Sequence, residues 1–411
     1  MEVSGIGVRC IGDGAEVCGT IRSRRSGVKG FRLRYRVPAE FATSLQATGD
    51  PFLAALLLPA MAVGEDLTVE GPVSPSLLRN LETAQELLLG WNPRNPWCRL
   101  GPVALRAPEL KEAEGGRACG LFFTGGVDSF FSTHDPDGDL GPSSVLIFAE
   151  GFDVPLADVS LRAQIEGRLR DAARELGKAF MPVATNYRAL TDPLLPWEMA
   201  HGGGLASVGL AVGGAVRRIG ISSSDAYIAR TPYGTHPDLD VLWSRRSLTF
   251  SPVGTPYPRS AKLATLLGDP VAERYLRVCW ENRGGLYNCR RCEKCLRTML
   301  QLEALSALER FPTLAGEIPV RVLEGLLEPE HRLFLWEDLA AALGRDPVKA
   351  TLVRSIRRMI GRSRARLAHP GPRVAIQRVW TRLKLSARRV APWLRRPGWT
   401  SEFGPDGTGG S

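Results

Sequence analysis

The residues of this 411-residue chain best able to do chemistry fall into two groups. The first is Thr124-Gly125-Gly126-Val127-Asp128-Ser129, which follows the apolar run Leu121-Phe122-Phe123. Two glycines at the end of a buried strand let backbone N–H groups approach an anion with no Cβ in the way. A helix starting near Val127 brings its free amides and partial positive charge to the same place. Thr124 and Ser129 offer hydroxyl donors, and Asp128 a carboxylate able to hold Mg²⁺ between two phosphates. The pattern predicts a phosphate cradle over residues 124–129, with Asp128 and Ser129 as catalytic candidates. A plain strand-to-helix turn needs the glycines but neither the hydroxyls nor the carboxylate. It is not a Walker loop, since no Gly-Lys-Ser/Thr follows.

The second group is Cys279, Cys289, Cys292 and Cys295, spaced C-x9-C-x2-C-x2-C. Thiolates this close in sequence can turn back around one ion, and four soft ligands suit Zn²⁺ in a closed, structural site. An iron–sulfur cluster takes the same ligands, and a persulfide cysteine is a third use. Arg277, Arg283, Arg290, Arg291, Lys294 and Arg297 surround the four and favour the thiolate form. Such a site would clip the Cys279 segment to a helix starting near Glu293. Cys10, Cys18, Cys98 and Cys119 are scattered and read as small buried hydrophobes.

Other candidates carry less pattern. Asp153, in Gly151-Phe152-Asp153, follows a strand at the edge where open α/β sheets bind ligands, so it contacts nucleotide or Mg²⁺ unless the segment is a plain turn. His201-Gly202-Gly203-Gly204 is expected to open a helix, as a second anion site or a flexible cap. His236 lies in the loop-rich Tyr233-Gly234-Thr235-His236-Pro237 and is a candidate general base. Arg259 and Lys262 either neutralise a phosphate or substrate carboxylate or lie on a solvated face.

Elements must place these groups. Strands are expected at 31–37, 66–69 and 99–105 and helices at 51–63 and 76–91, with Ser74 or Ser76 as cap; this makes residues 1–112 an α+β domain. From 113 to 310 strands at 118–123, 144–149, 179–183 and 218–221 alternate with helices at 158–176 and 204–216, which predicts an α/β fold with a parallel sheet. Residues 311–350 read as a helical extension and 351–411 as a basic tail. In that tail Ile376, Val379, Trp380, Leu383, Ala387 and Val390 keep helical spacing.

The chain carries a formal charge of +10, unevenly spread. Residues 351–411 hold 14 Lys and Arg against Glu402 and Asp406, whereas the first 350 hold 39 against 41 acids. An acidic partner, RNA or an anionic membrane is therefore expected at the tail alone. The apolar run 52–63 is too short to span a bilayer and the start of the chain lacks a leader pattern, so a cytoplasmic enzyme is expected.

The 124–129 string resembles the Ser-Gly-Gly-x-Asp-Ser signature of PP-loop (N-type) ATP pyrophosphatases, with Thr124 where Ser is usual. A loop of this kind followed about 150 residues later by the four cysteines looks like the 7-cyano-7-deazaguanine synthase family, over roughly residues 117–305. Within that stretch, Arg259-Ser260-Ala261-Lys262 and residues 220–225 match a helix start and a strand-end glycine segment of the family. The chain departs from it in length, in residues 1–112 and in the basic tail. The resemblance implies a Rossmann-like (HUP-type) domain, ATP, Mg²⁺ and Zn²⁺ as cofactors, and adenylation of a small-molecule carboxylate or carbonyl before attack by nitrogen. Other readings are a PP-loop sulfurtransferase that thiolates tRNA, in which Cys119 would have to relay sulfur, and a catalytically silent zinc-stabilised binding module. A homo-oligomer is compatible with any of these.

Overall fold

The computed structural model describes residues 1–95, 97–134, 138, 140–223 and 232–368. The chain opens with an antiparallel meander of β1 (Glu2–Ile11), β2 (Gly14–Ser23) and β3 (Val28–Pro38). Then come α1 (Asp50–Val63), the short β4 (Leu67–Val69) and β5 (Pro72–Val73), and α2 (Pro75–Trp91). β6 (Leu105–Arg106) and β7 (Glu109–Leu110) precede the alternating half. That half runs β8 (Ala118–Phe122), α3 (Val127–Ser132), β9 (Val145–Glu150), α4 (Val159–Glu175), β10 (Ala179–Thr185), α5 (Tyr187–Thr191), α6 (Trp197–Ala211) and β11 (Val216–Ser222). It closes with α7 (Pro237–Asp240), β12 (Thr249–Val253), α8 (Arg259–Thr265) and α9 (Pro270–Tyr275). Helices α10 (Glu293–Ala304), α11 (Val320–Gly325), α12 (Glu330–Leu343) and α13 (Ala350–Ala368) complete the described chain.

Ten strands form one sheet in the order β12-β11-β8-β9-β10-β3-β2-β1-β4-β6. The five from β12 to β10 are parallel throughout. Counted along the chain they run 3-2-1-4-5 from the β10 side, the order of a doubly wound, Rossmann-like sheet. The connection from β8 goes to β9 on one side, and β11 joins β8 from the other, so the order reverses at β8. Strand alternation then splits the core in two. Phe122, Val145, Ile147 and Met181 face one layer with α1, α2 and α6, while Leu121, Phe123, Leu146 and Phe148 face the other with α4, α8 and α10.

The expected boundary near residue 112 does not interrupt this sheet. β3 pairs antiparallel with β10 through Arg36↔Ala184 and Tyr35↔Thr185, and residues 1–91 share a core with 122–250. Asp50 and Arg245, both 0% exposed, are joined at 2.7 Å across the two segments. The Asp50 carboxylate also accepts from the backbone N–H and hydroxyl of Ser74, at 2.7 and 2.6 Å. That use of the hydroxyl is why Ser74, although it sits at the N-cap of α2, makes no capping bond. Arg245 reaches on to Gln46 and the Glu114 carbonyl.

Several expectations shift. The helix placed at 204–216 starts earlier, at Trp197 behind Pro196, and ends at Ala211. Its glycines serve close packing, since a Cβ at Gly203 would lie 3.0 Å from the Ala54 carbonyl of α1. The strand expected at 99–105 shrinks to β6, because the Asn92 side chain takes both backbone groups of Leu100. β1 and β2 have no counterpart in the sequence reading, where Gly5 and Gly7 break the alternation. α13 docks Val353, Ile356, Met359 and Ile360 into the core; the helical pattern at 376–390 lies outside the described residues. Among the described residues no helix is long and apolar enough to cross a membrane.

A buried ion pair stripped of one partner leaves an unpaired charge that costs about 3–5 kcal/mol. Asp50→Ala should destabilise the chain by that amount in urea unfolding. The double variant Asp50→Leu/Arg245→Met, which leaves no lone charge, should lose clearly less.

Candidate active site and metal centre

β8 delivers the phosphate-loop candidates to the reversal point of the sheet. Gly125 has φ +72°, and a Cβ there would sit 2.6 Å from Leu169, so only glycine makes this turn without strain. Its carbonyl accepts the Arg277 N–H at 2.7 Å, which ties the loop to the segment leading into the cysteines. Gly126 holds the N-cap of α3 in extended conformation and makes no side-chain capping bond, so the first amides of α3 have no side-chain acceptor. Thr124 is exposed. Val127 is buried as the first helical residue, and the Ser129 hydroxyl donates to the Gly126 carbonyl at 3.1 Å.

Asp128 lies in a cationic setting. Its Oδ2 accepts from Arg259 at 2.5 Å, and the Lys262 ammonium stands 3.7 Å from Oδ1. Lys262 is 0% exposed and donates to the Ser223 carbonyl at the end of β11. Neither cation lies on a solvated face: α8 aims both at the loop from across the sheet reversal.

A cleft opens where these parts meet, outside the carboxyl ends of β8, β9 and β11. Phe122, Phe123, Thr124, Gly126, Asp128 and Ser129 line it, with Asp153, Ser222, Arg259 and Arg277. Among the described residues, Asp128 Oδ1, Arg259 Nε, Arg277 Nε and Ser222 Oγ are buried with no hydrogen-bond partner. Buried polar atoms are rarely left so, and these four lie around one cleft. An aromatic wall of Phe152, Trp197, His201 and Tyr233 faces them, with Phe152–Trp197 centroids at 5.0 Å and His201–Tyr233 at 4.7 Å. Asp153 lies beside this wall, its backbone carbonyl held by Asn282 at 2.6 Å.

His201 does not open a helix and is no anion site. It lies inside α6, and burial lowers its pKa to about 4. Its Nδ1 lies 3.0 Å from the Trp197 carbonyl and so carries the proton; Nε2 then accepts from the Thr235 hydroxyl at 3.1 Å. His236 is not a base in the cleft either. It is buried against Trp91, and its Nδ1 accepts from Asp238 N–H to cap α7.

Cys279, Cys289, Cys292 and Cys295 are all buried, and their sulfurs lie within 4.8 Å of one another. The Cys279–Cys292 and Cys289–Cys295 pairs stand at 3.9 and 4.0 Å. A tetrahedral zinc with bonds of ~2.3 Å spaces its sulfurs by about 3.8 Å, so the four fit that ion closely. Without a cation, hydrogen bonds from Cys292 and Cys295 hold the Cys279 thiol far below its ordinary value, and the shared proton pushes Cys292 up to about 12. The Asn288 carboxamide braces the cluster, accepting from Val278 and Cys279 N–H and donating to the Leu276 carbonyl. Because Arg277, Val278, Cys279 and Lys294 also line the cleft, the cysteine cluster forms part of its wall.

The sequence reading named Arg277 and Lys294 only as neighbours of cysteines, and left out Trp197 and Tyr233 as site residues. The aromatic pair has no local signal; it comes together through packing between α6 and the loop before α7.

Two outcomes test this geometry. Atomic absorption should find one Zn²⁺ per chain, and Cys292→Ser should lose it together with several kcal/mol of stability. His201, neutral when folded and with an ordinary value near 6.5 when unfolded, binds its proton only in the unfolded state between those pH values. Stability is therefore lost as pH falls from 6.5 towards 4, by up to about 3 kcal/mol. Urea unfolding of His201→Asn should show a correspondingly flatter pH dependence. Comparison with protein-family models, curated proteins and solved structures finds no match to this chain.

Proposed function

We propose that the chain is an ATP-dependent adenylating enzyme of the PP-loop class, acting on a small-molecule carboxylate or carbonyl. One observation carries the reading: Thr124–Ser129, with Asp128, Arg259 and Lys262 gathered on it, stands at the sheet reversal among buried polar atoms that lack partners. The loop amides and the two cations supply positive potential for a triphosphate. Asp128 Oδ1, which accepts no hydrogen bond, is the oxygen left to ligate Mg²⁺, an ion that would neutralise charge on the phosphates.

In this reading a substrate oxygen attacks the α-phosphorus and the bond to the bridging oxygen of the β-phosphate breaks. Pyrophosphate departs against Lys262, Arg259 and the 124–129 backbone, which oppose the charge it gains. A nitrogen nucleophile, expected from the resemblance, then attacks the activated carbon and AMP leaves. Arg277 and Lys294, on the metal-centre side of the cleft, suit an anionic substrate group. The aromatic wall suits a flat apolar body between the two cationic ends.

The thiolating alternative gains nothing from the geometry. Cys119 lies within β8 and is not among the lining residues, while the four clustered thiols are buried together.

Pyrophosphate release from ATP by zinc-loaded protein, given ammonium and a metabolite pool, tests the proposal. Release should require the pool, and both Asp128→Ala and Lys262→Ala should lower it about 100-fold or more. Failure of the parent chain to bind ATP–Mg²⁺ would sink the reading and favour a silent binding module.

A further inference from the structure

The segment from Arg277 to Cys289 has two sides. Arg277, Val278 and Cys279 face the cleft, and Asn282 reaches Asp153 at its rim. The other side looks out to solvent with Trp280, 46% exposed, and Leu286, 51% exposed. Arg283, Arg290, Arg291 and Lys294 are also exposed. Their grouping is imposed by the sulfur cluster: Trp280 follows Cys279, Arg290 and Arg291 separate Cys289 from Cys292, and Lys294 precedes Cys295. Four sulfurs within 4.8 Å of one another draw all these neighbours onto one small knuckle.

The charge on that knuckle is poorly compensated. Glu281 pairs with Arg283, and Glu293 pairs with the buried Arg297 at 2.6 Å. Among the described residues Arg290, Arg291 and Lys294 form no salt bridge; Arg290 donates only to the Ala315 carbonyl, at 2.8 Å. A large aromatic side chain costs hydration when left in water, and Trp280 shares the knuckle with three cations that form no salt bridge among the described residues. A polyanion that also offers flat rings answers both features, because backbone phosphates meet the cations while a base stacks on the indole. An acidic protein surface would answer only the charge.

We propose that this knuckle binds single-stranded nucleic acid, with a base on Trp280 and phosphates on Arg291 and Lys294. Lys294 belongs both to the knuckle and to the cleft lining, so a bound strand runs past the cleft mouth. This is a binding property distinct from adenylation and is read without ATP.

The test is fluorescence anisotropy of a labelled 20-nucleotide mixed-sequence single-stranded RNA with the full zinc-loaded chain, over a range of KCl concentrations. Trp280→Ala should weaken binding about tenfold. Arg291→Glu/Lys294→Glu should lower the slope of log affinity against log salt by about 1.4, the share of two phosphate contacts on a single strand. Both variants should keep their zinc and thermal midpoint, which separates lost binding from lost folding. Arg354→Glu/Arg357→Glu, on the exposed face of α13, should leave the effect of Trp280→Ala intact. The proposal is overturned if the parent chain does not bind the RNA, or if both knuckle variants bind as the parent does. It is also overturned if polyglutamate displaces the RNA while Trp280→Ala has no effect, which would assign the surface to an acidic protein.

Discussion

Four sulfurs buried within 4.8 Å of one another are the tightest chemical constraint in this chain. Thiolates at that spacing repel one another, and thiols leave polar hydrogens crowded into an apolar layer; a bound cation with soft-ligand preference removes both difficulties. The consequence extends past the metal. Holding Cys279 fixes Arg277 and Val278 as one wall of the cleft, and the Arg277 N–H in turn anchors the Gly125 carbonyl. The 124–129 loop and the cysteine cluster, separated by some 150 residues of sequence, are thus joined by a backbone hydrogen bond and a shared wall.

The sheet supplies the other half of the arrangement. Parallel strands with helices on both faces leave a crevice where the connections diverge, because the helices after neighbouring strands pack on opposite sides. β8 stands at that divergence, so the loop after Phe122 has open space above it. α8 enters from beyond β12 and aims Arg259 and Lys262 into the same space. Lys262, fully buried, stands beside the Asp128 carboxylate and donates to the Ser223 carbonyl. A buried amine held among oxygens sits at a fixed position with little reorganisation left to undergo.

Residues 1–91 show how far tertiary structure can override a boundary that looks firm in sequence. The pattern of strands and helices marks residues 1–112 as a unit, yet β3 adds to the edge of β10 and the Asp50–Arg245 pair closes the seam. An exposed edge strand is a liability, and β10 would be one without β3 beside it. The meander extends the sheet by three long strands, then by β4 and β6, which moves the free edge well away from the cleft.

Local chemistry was legible in sequence wherever one segment carries the whole signal. The strand–Gly-Gly–helix string, the four-cysteine spacing and the alternation of strands and helices from 118 to 221 each depend on neighbours a few residues apart, and they specify turn, ligand set and sheet type. What only the folded chain decides are relations between distant segments: Arg259 and Lys262 on Asp128, Arg277 on the 124–129 loop, the Phe152–Trp197–Tyr233 wall, and the burial of His201 and His236 in structural hydrogen bonds. A histidine's sequence neighbours do not reveal whether it will be buried and neutral, because burial is settled by helices and loops tens of residues away. The triple glycine at 202–204 makes the same point. In sequence it reads as freedom, and in the fold it is the space that lets α6 touch α1.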